Sequence, residues 1–145
     1  TLGTDSSEDF LVYEEKDETF SCFIYKTKSR KFLIIGSYQT LSTEYQFLDA
    51  NNPSGEWKII QPREKNLEYS ISHFDDKFYI RTNWNAKNFR LMQTPIHSTS
   101  KINWTEVIPH REDVLLRSID IFKASDTMVD SLTQLIARKR SKNIN

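Results

Sequence analysis

Three histidines, one cysteine and three glycines are what this 145-residue sequence offers to catalysis, and their spacing argues against it. A metal site needs ligands close together in sequence or brought together by the fold. His73, His97 and His110 are dispersed, and Cys22 has no second cysteine to join it. As a nucleophile Cys22 would need a base and an orienting group. Its place between Ser21 and Phe23 in an apolar run reads as packing. A nucleophile elbow or a phosphate-cradling loop needs clustered glycines, and Gly3, Gly36 and Gly55 lie far apart. Asp5, Asp49, Asp75 and Asp76 fall at turns, where aspartate braces the backbone. His73 sits in an alternating strand and reads as structural, and His97 lies in a Ser/Thr-rich loop. Asn103-Trp104-Thr105 has the form of a glycosylation sequon and reads as accidental. No catalytic residue, metal or cofactor is expected.

The elements that would have to position any site are short and apolar. Aromatic residues make up 12% of the chain and fall within brief apolar runs, which suits strands better than helices. Phe20–Tyr25, Lys31–Ser37, Glu44–Leu48 and Trp57–Ile60 read as four strands. Asn51-Asn52-Pro53-Ser54-Gly55 is a turn signal before the fourth, and Pro62 ends it. The order then repeats: Leu67–Phe74, Phe78–Trp84, Phe89–Gln93 and Trp104–Ile108. Asp9–Glu14 reads as a preceding strand, and Val114–Phe122 as the opening of a third unit.

The repetition extends to particular residues. Phe32-Leu33-Ile34-Ile35 is answered by Phe78-Tyr79-Ile80-Arg81, a step of 46 (78 − 32). Trp57 is answered by Trp104, a step of 47 (104 − 57). Gln61-Pro62-Arg63-Glu64 is answered by Pro109-His110-Arg111-Glu112, a step of 48 (109 − 61). Four short strands with tight turns at this period describe an antiparallel meander, the blade of a β-propeller. The alternative is an ordinary β-sandwich with chance similarities. The expected fold is therefore all-β, a partial propeller over residues 1–124 with about two full blades and flanking pieces. Residues 125–145 depart from it: 125–140 carry Met128, Leu132, Leu135 and Ile136 at helical spacing behind Ser125 and Asp126, which predicts a short C-terminal helix. Arg63, Glu64, Arg111 and Glu112 sit at matching corners and are expected to tie one blade to the next.

Charge narrows the partners. Twenty basic residues balance twenty acidic ones, so nothing favours nucleic acid or anionic lipid. Basic residues alternate with aromatics in Arg30-Lys31-Phe32 and Asn88-Phe89-Arg90, as RNA-binding sheets can, but neighbouring carboxylates cancel their charge. No apolar run approaches the roughly 20 residues of a membrane span. A lone cysteine fits a reduced, cytoplasmic setting. The first methionine is Met92, and Thr1-Leu2-Gly3-Thr4 reads as the middle of something longer.

Several stretches resemble the propeller of oligopeptidase B (protease II), in the prolyl oligopeptidase family of serine peptidases. They are Leu2-Gly3-Thr4, Glu8–Glu15, Lys26–Lys31, Tyr79–Asn83, Ala86–Leu91 and Ile108–Leu116. The resemblance covers residues 1 to about 123 and fails beyond Ala124. It implies a parent enzyme in which a seven-bladed propeller covers an α/β-hydrolase domain carrying a Ser-Asp-His triad. It implies hydrolysis of short peptides after Arg or Lys, with the propeller limiting access by size. None of the triad positions lies in this chain, so the chain alone is expected to be inactive. Its partners would be the hydrolase domain of the same parent chain and the parent's peptide substrates. Exposed blade edges are expected to promote self-association. The rival reading is a stand-alone β-rich module that binds a protein or peptide.

Overall fold

A computed structural model of the chain describes residues 3–122. They form eight strands: β1 (Ser21–Lys26), β2 (Phe32–Gln39), β3 (Ser42–Asp49), β4 (Lys58–Gln61), β5 (Tyr69–Phe74), β6 (Lys77–Thr82), β7 (Arg90–Pro95) and β8 (Thr105–Ile108). Two four-stranded antiparallel sheets result, ordered β1-β2-β3-β4 and β5-β6-β7-β8. Each is a simple meander, hereafter blade 1 and blade 2.

Local sequence dictates these elements. Tyr-Ser-Ile-Ser-His-Phe in β5 buries every second side chain, as its alternation requires. Between β5 and β6 the chain reverses through Asp75-Asp76, and Asp75 takes a φ of 57°, which Asp tolerates. Thr40-Leu41 makes the equally short reversal from β2 to β3. A bulge interrupts β3–β4 at Tyr45/Gln46 and recurs in β7–β8 at Leu91/Met92. It bends each outer strand at the same place.

The core lies between the two sheets. Phe32, Ile34, Tyr45 and Phe47 of blade 1 meet Tyr69, Ile71, Phe78 and Ile80 of blade 2. Phe78 lies 5.5 Å from Phe32 and 5.0 Å from Phe47, ring centre to ring centre. Burying such aromatics supplies the main attraction between blades.

Pairing across the ladders corrects one reading of the repeat. Ile34 pairs with Tyr25 and Phe47 and faces forward into blade 2. Ile80 pairs with Ile71 and Met92 and faces back into blade 1. Both are fully buried, but from opposite faces. The counterpart of Ile80 is Ile35, which pairs with Ile24 and Gln46, so the step in this strand is 45 (80 − 35). A step of 46 would turn every side chain to the wrong face. In β4 and β8 the step is 47 (106 − 59), in agreement with the two tryptophans.

Asp9–Glu14 and Val114–Phe122 do not form strands. Neither has a ladder partner among the described residues, and strand geometry needs one to satisfy its backbone. Asp9–Glu14 belongs to a segment that crosses the back of blade 1, where the Tyr13 and Ser37 hydroxyls meet at 2.8 Å. Cys22, expected to be packed, is exposed on edge strand β1, whose back face lacks a full cover. The expected helix over 125–140 lies outside the described residues. Among the described residues no helix is long and apolar enough to cross a membrane.

Candidate functional site

The first strands of both blades and the segment that follows blade 2 come to one side of the molecule. Tyr25–Lys28 at the end of β1, Ile71–His73 of β5 and Ser118–Ile121 of the third unit surround an open cleft of about 470 Å³. Lys28 and Asp120 form an ion pair across it. Lys28 also lies 4.9 Å from the ring centre of Phe122.

His73 stands at the back of this cleft, 5% exposed. Its ring meets Phe32 and Phe78 edge-on at 4.7 and 5.3 Å. Nδ1 lies 2.8 Å from Ser29 Oγ, which in turn lies 2.9 Å from Thr27 Oγ1. Burial pushes the imidazole pKa down, and Lys31 adds to the effect, while Asp75 and Asp76 act against it. A serine beside a histidine invites a catalytic reading. Among the described residues Nε2 is buried without a partner and no acid orients the ring, so they do not assemble a Ser-His-acid set. His73 and Ser29 join the two blades, as the sequence reading of a structural histidine expected.

The remaining candidates are dispersed. His110 Nε2 accepts the backbone N–H of Asn88 at 3.2 Å. His97 lines a different cleft, beside Asn52 and Glu56. Among the described residues no group of three or more His, Cys, Asp or Glu side chains could hold a metal ion.

The charged corners are built differently from one another. Arg63 follows Pro62 at the end of β4. Its Nη2 donates to Glu15 Oε2 at 2.8 Å and to Glu44 Oε1 at 3.2 Å, and its Nη1 donates to Glu15 Oε1 at 3.3 Å. Its backbone N–H donates to Glu44 Oε2 at 2.9 Å, and its guanidinium lies 4.1 Å from the ring centre of Phe20. Glu15 is held at a pKa of about 2, chiefly by Arg63, with burial opposing. Its hydrogen bond to Glu15 in turn raises the Arg63 pKa. Glu15 lies 48 residues before Arg63, at the preceding corner, so the pair spans the whole of blade 1.

Glu64 reaches into blade 2. It accepts Lys101 Nζ at 2.6 and 2.8 Å and Gln61 Nε2 at 2.8 Å, while the Lys101 backbone N–H donates to Gln61 Oε1 at 2.7 Å. Arg111 has a partner only two residues away, Asp113, at 2.6 Å. The carbonyl of Glu112 accepts Asn88 Nδ2 at 2.6 Å, and that of Arg111 accepts it at 3.1 Å. Arg63 and Glu64 thus contact neighbouring units through their side chains, and Arg111 does not among the described residues.

Family comparison gives this architecture its place. The model of the N-terminal β-propeller domain of prolyl oligopeptidase matches residues 1–140. The chain belongs to the prolyl oligopeptidase family. It is 35% identical over 135 residues to a dipeptidyl aminopeptidase BI of Pseudoxanthomonas mexicana, covering 92% of this chain and 18% of that protein. It is 32% identical to protease 2 of Moraxella lacunata, covering 84% of this chain and 17% of that protein. Oligopeptidase B of Leishmania major superposes with a TM-score of 0.71 at 33% identity, covering 80% of this chain and 16% of that one. The chain therefore spans under a fifth of the length of these relatives.

Membership in the prolyl oligopeptidase family agrees with the meander blades. Sequence reading missed Glu15, Glu44 and Lys101, the partners of the corners. Glu15 alone left a trace, as a charge 48 residues ahead of Arg63.

Proposed function

We propose that this chain is a fragment, about two blades, of the access-limiting propeller of a cytoplasmic serine oligopeptidase resembling oligopeptidase B. In that reading an α/β-hydrolase domain of the same parent chain holds the triad and cleaves short peptides after Arg or Lys. The observation that carries the proposal is the meeting of two successive first strands, β1 and β5, and the segment 118–121 around one cleft. A wall built of such strands leaves a narrow passage, and passage width selects by size before chemistry begins. Arg63 and Glu64 keep their expected role as inter-blade ties within this proposal, whereas Arg111 and Glu112 contribute backbone carbonyls to Asn88 and no side-chain tie among the described residues.

The test uses the full-length enzyme. Loosening the corner with Arg63→Ala and Glu64→Ala should raise cleavage of long peptides relative to a short arginyl substrate. The 145-residue chain alone should release no product. Unchanged size selectivity in an enzyme whose propeller is measurably loosened would overturn the gating role. Exposed edge strand β1 is also proposed to bring copies of the isolated chain together. Light scattering that reports a monomer at every concentration would refute this.

A further inference from the structure

Among the described residues three arginines lie against aromatic rings: Arg63 on Phe20, Arg90 on Trp84 and Arg81 on Phe89. Arg63 has Glu15 and Glu44 as counter-ions, and Arg90 has Glu106. Arg81 has no carboxylate within ion-pairing distance among the described residues. Its Nε donates to the Leu116 carbonyl. Glu68, the acid whose charge it feels, accepts the side-chain amide of Asn83 instead. Among the described residues neither terminal nitrogen of Arg81 has a hydrogen-bond acceptor. A half-buried guanidinium without a counter-ion is costly to maintain unless an anion visits it.

The surroundings hold this group in place. Phe89 carries its ring 3.6 Å from the Arg81 guanidinium from a backbone with φ of 62°, a conformation that bulky residues rarely adopt. Arg81 and Phe89 form one side of a cleft of about 320 Å³ whose other walls are mainly aromatic (Phe23, Tyr38, Tyr45 and Tyr69), with Glu68 also at its lining. The far end of the Phe23 ring covers Gly36, where a Cβ would come within 2.4 Å of it. Phe23 and Tyr38 are both substantially exposed, so the aromatic floor is open to a ligand. This cleft lies by the starting ends of β1 and β5, whereas the His73 cleft lies toward their finishing ends.

We propose that this cleft binds a carboxylate adjoining an aromatic or large apolar side chain, as at the end of a short peptide. The two terminal nitrogens of Arg81 would take the carboxylate as a fork, and Phe23 and Tyr38 would take the side chain. The choice of a peptide as ligand rests on the gating proposal; the carboxylate chemistry does not.

The test titrates the 145-residue chain with three probes, followed by chemical-shift changes. They are acetyl-Ala-Phe with a free carboxylate, the same peptide amidated, and amidated acetyl-Asp-Phe, whose carboxylate is on a side chain. Saturable binding near about 1 mM is expected for at least one carboxylate probe and not for the neutral amide. The carboxylate probe that binds distinguishes a peptide end from an acidic side chain. Arg81→Gln should weaken it by roughly tenfold, and Arg81→Lys, which keeps the charge but not the fork, should weaken it measurably. A matching unfolding midpoint for Arg81→Lys guards against loss of fold. Equal binding of the neutral amide, wild-type affinity in both variants, or no saturation by about 10 mM would each overturn the site. Because the readout is binding to this chain, failure here leaves the size-selectivity test of the full-length enzyme standing, and the reverse holds too.

Discussion

The corner leaving blade 1 and the corner leaving blade 2 share proline, arginine and glutamate, yet they hold the chain in different ways. At the first, Arg63 gathers carboxylates from the preceding corner and from β3, and Glu64 reaches forward to Lys101. At the second, Arg111 stays with Asp113, and the work passes to Asn88, which grips two corner carbonyls. Equal sequence did not bring equal function because the partners differ. Position 48 before Arg63 is Glu15, whereas position 48 before Arg111 is Arg63 itself. A repeated corner-to-corner ion pair requires charges that alternate, and two arginines in succession cannot provide it.

The contrast is sharpest at Arg63. Its side chain is 30% exposed and its partners Glu15 and Glu44 about 10%, so the cluster is largely screened from water. Arg63→Ala leaves two carboxylates facing each other and should cost about 2–3 kcal/mol in urea unfolding, below the range for fully buried pairs. A loss equal to that of Arg111→Ala would erase the distinction between the corners.

Acid should attack blade 1 and the blade interface in separate windows. Glu15 has its folded pKa lowered from 4.5 to about 2, so its contribution is complete above about pH 5 and is lost as pH falls through 2. His73 also has a lowered folded pKa, so the unfolded chain binds the proton more readily, and stability falls as pH drops below 6.5. Arg63→Gln should remove much of the lower window and His73→Phe the upper one in unfolding followed against pH. A single window unaffected by either change would contradict both assignments.

Asn88 tests the second corner. Its side chain donates to the carbonyls of Arg111 and Glu112, and its own carbonyl accepts the Leu116 N–H at 2.9 Å. Asn88→Ala should cost about 1–1.5 kcal/mol, with increased amide exchange confined to the corner after β8. If exchange instead rises around Arg63, the corners are coupled and the comparison fails.

How much of this could be read from the sequence follows from what period and pattern carry. Alternation in Tyr-Ser-Ile-Ser-His-Phe and the tight Asp75-Asp76 turn made the meander legible, since both are local. The step of 46 through Phe32 misled by one residue, because apolar β2 and β6 side chains on both faces look alike until the pairing of Ile34 with Phe47 and of Ile80 with Met92 is known. Val114–Phe122 read as the opening of a third unit, but a strand there also needs a neighbour. Corner residues were found by echo, while Glu15, Glu44 and Lys101 were not, because tertiary partners carry no period of their own.

Glu64 is a weaker tie than Arg63, since its side chain is 43% exposed and that of Lys101 is 24% exposed. A double-mutant cycle with Glu64→Gln and Lys101→Met should give a coupling of about 0.5 kcal/mol, falling as salt is raised. Zero coupling at low salt would remove Glu64 from the inter-blade ties and leave Gln61 to join the corner to Lys101 through the backbone.

Arg111 completes the series from the other end. Both it and Asp113 are mostly exposed, at 61% and 69%, and the pair is closed within three consecutive residues. Ordering such a pair restrains two mobile side chains in water, so Coulomb attraction and lost freedom nearly cancel. Arg111→Ala should therefore leave the unfolding midpoint unchanged within error at low and at high salt. A clear destabilisation would mean that Arg111 meets a partner beyond the described residues, and the two corners would then be alike after all.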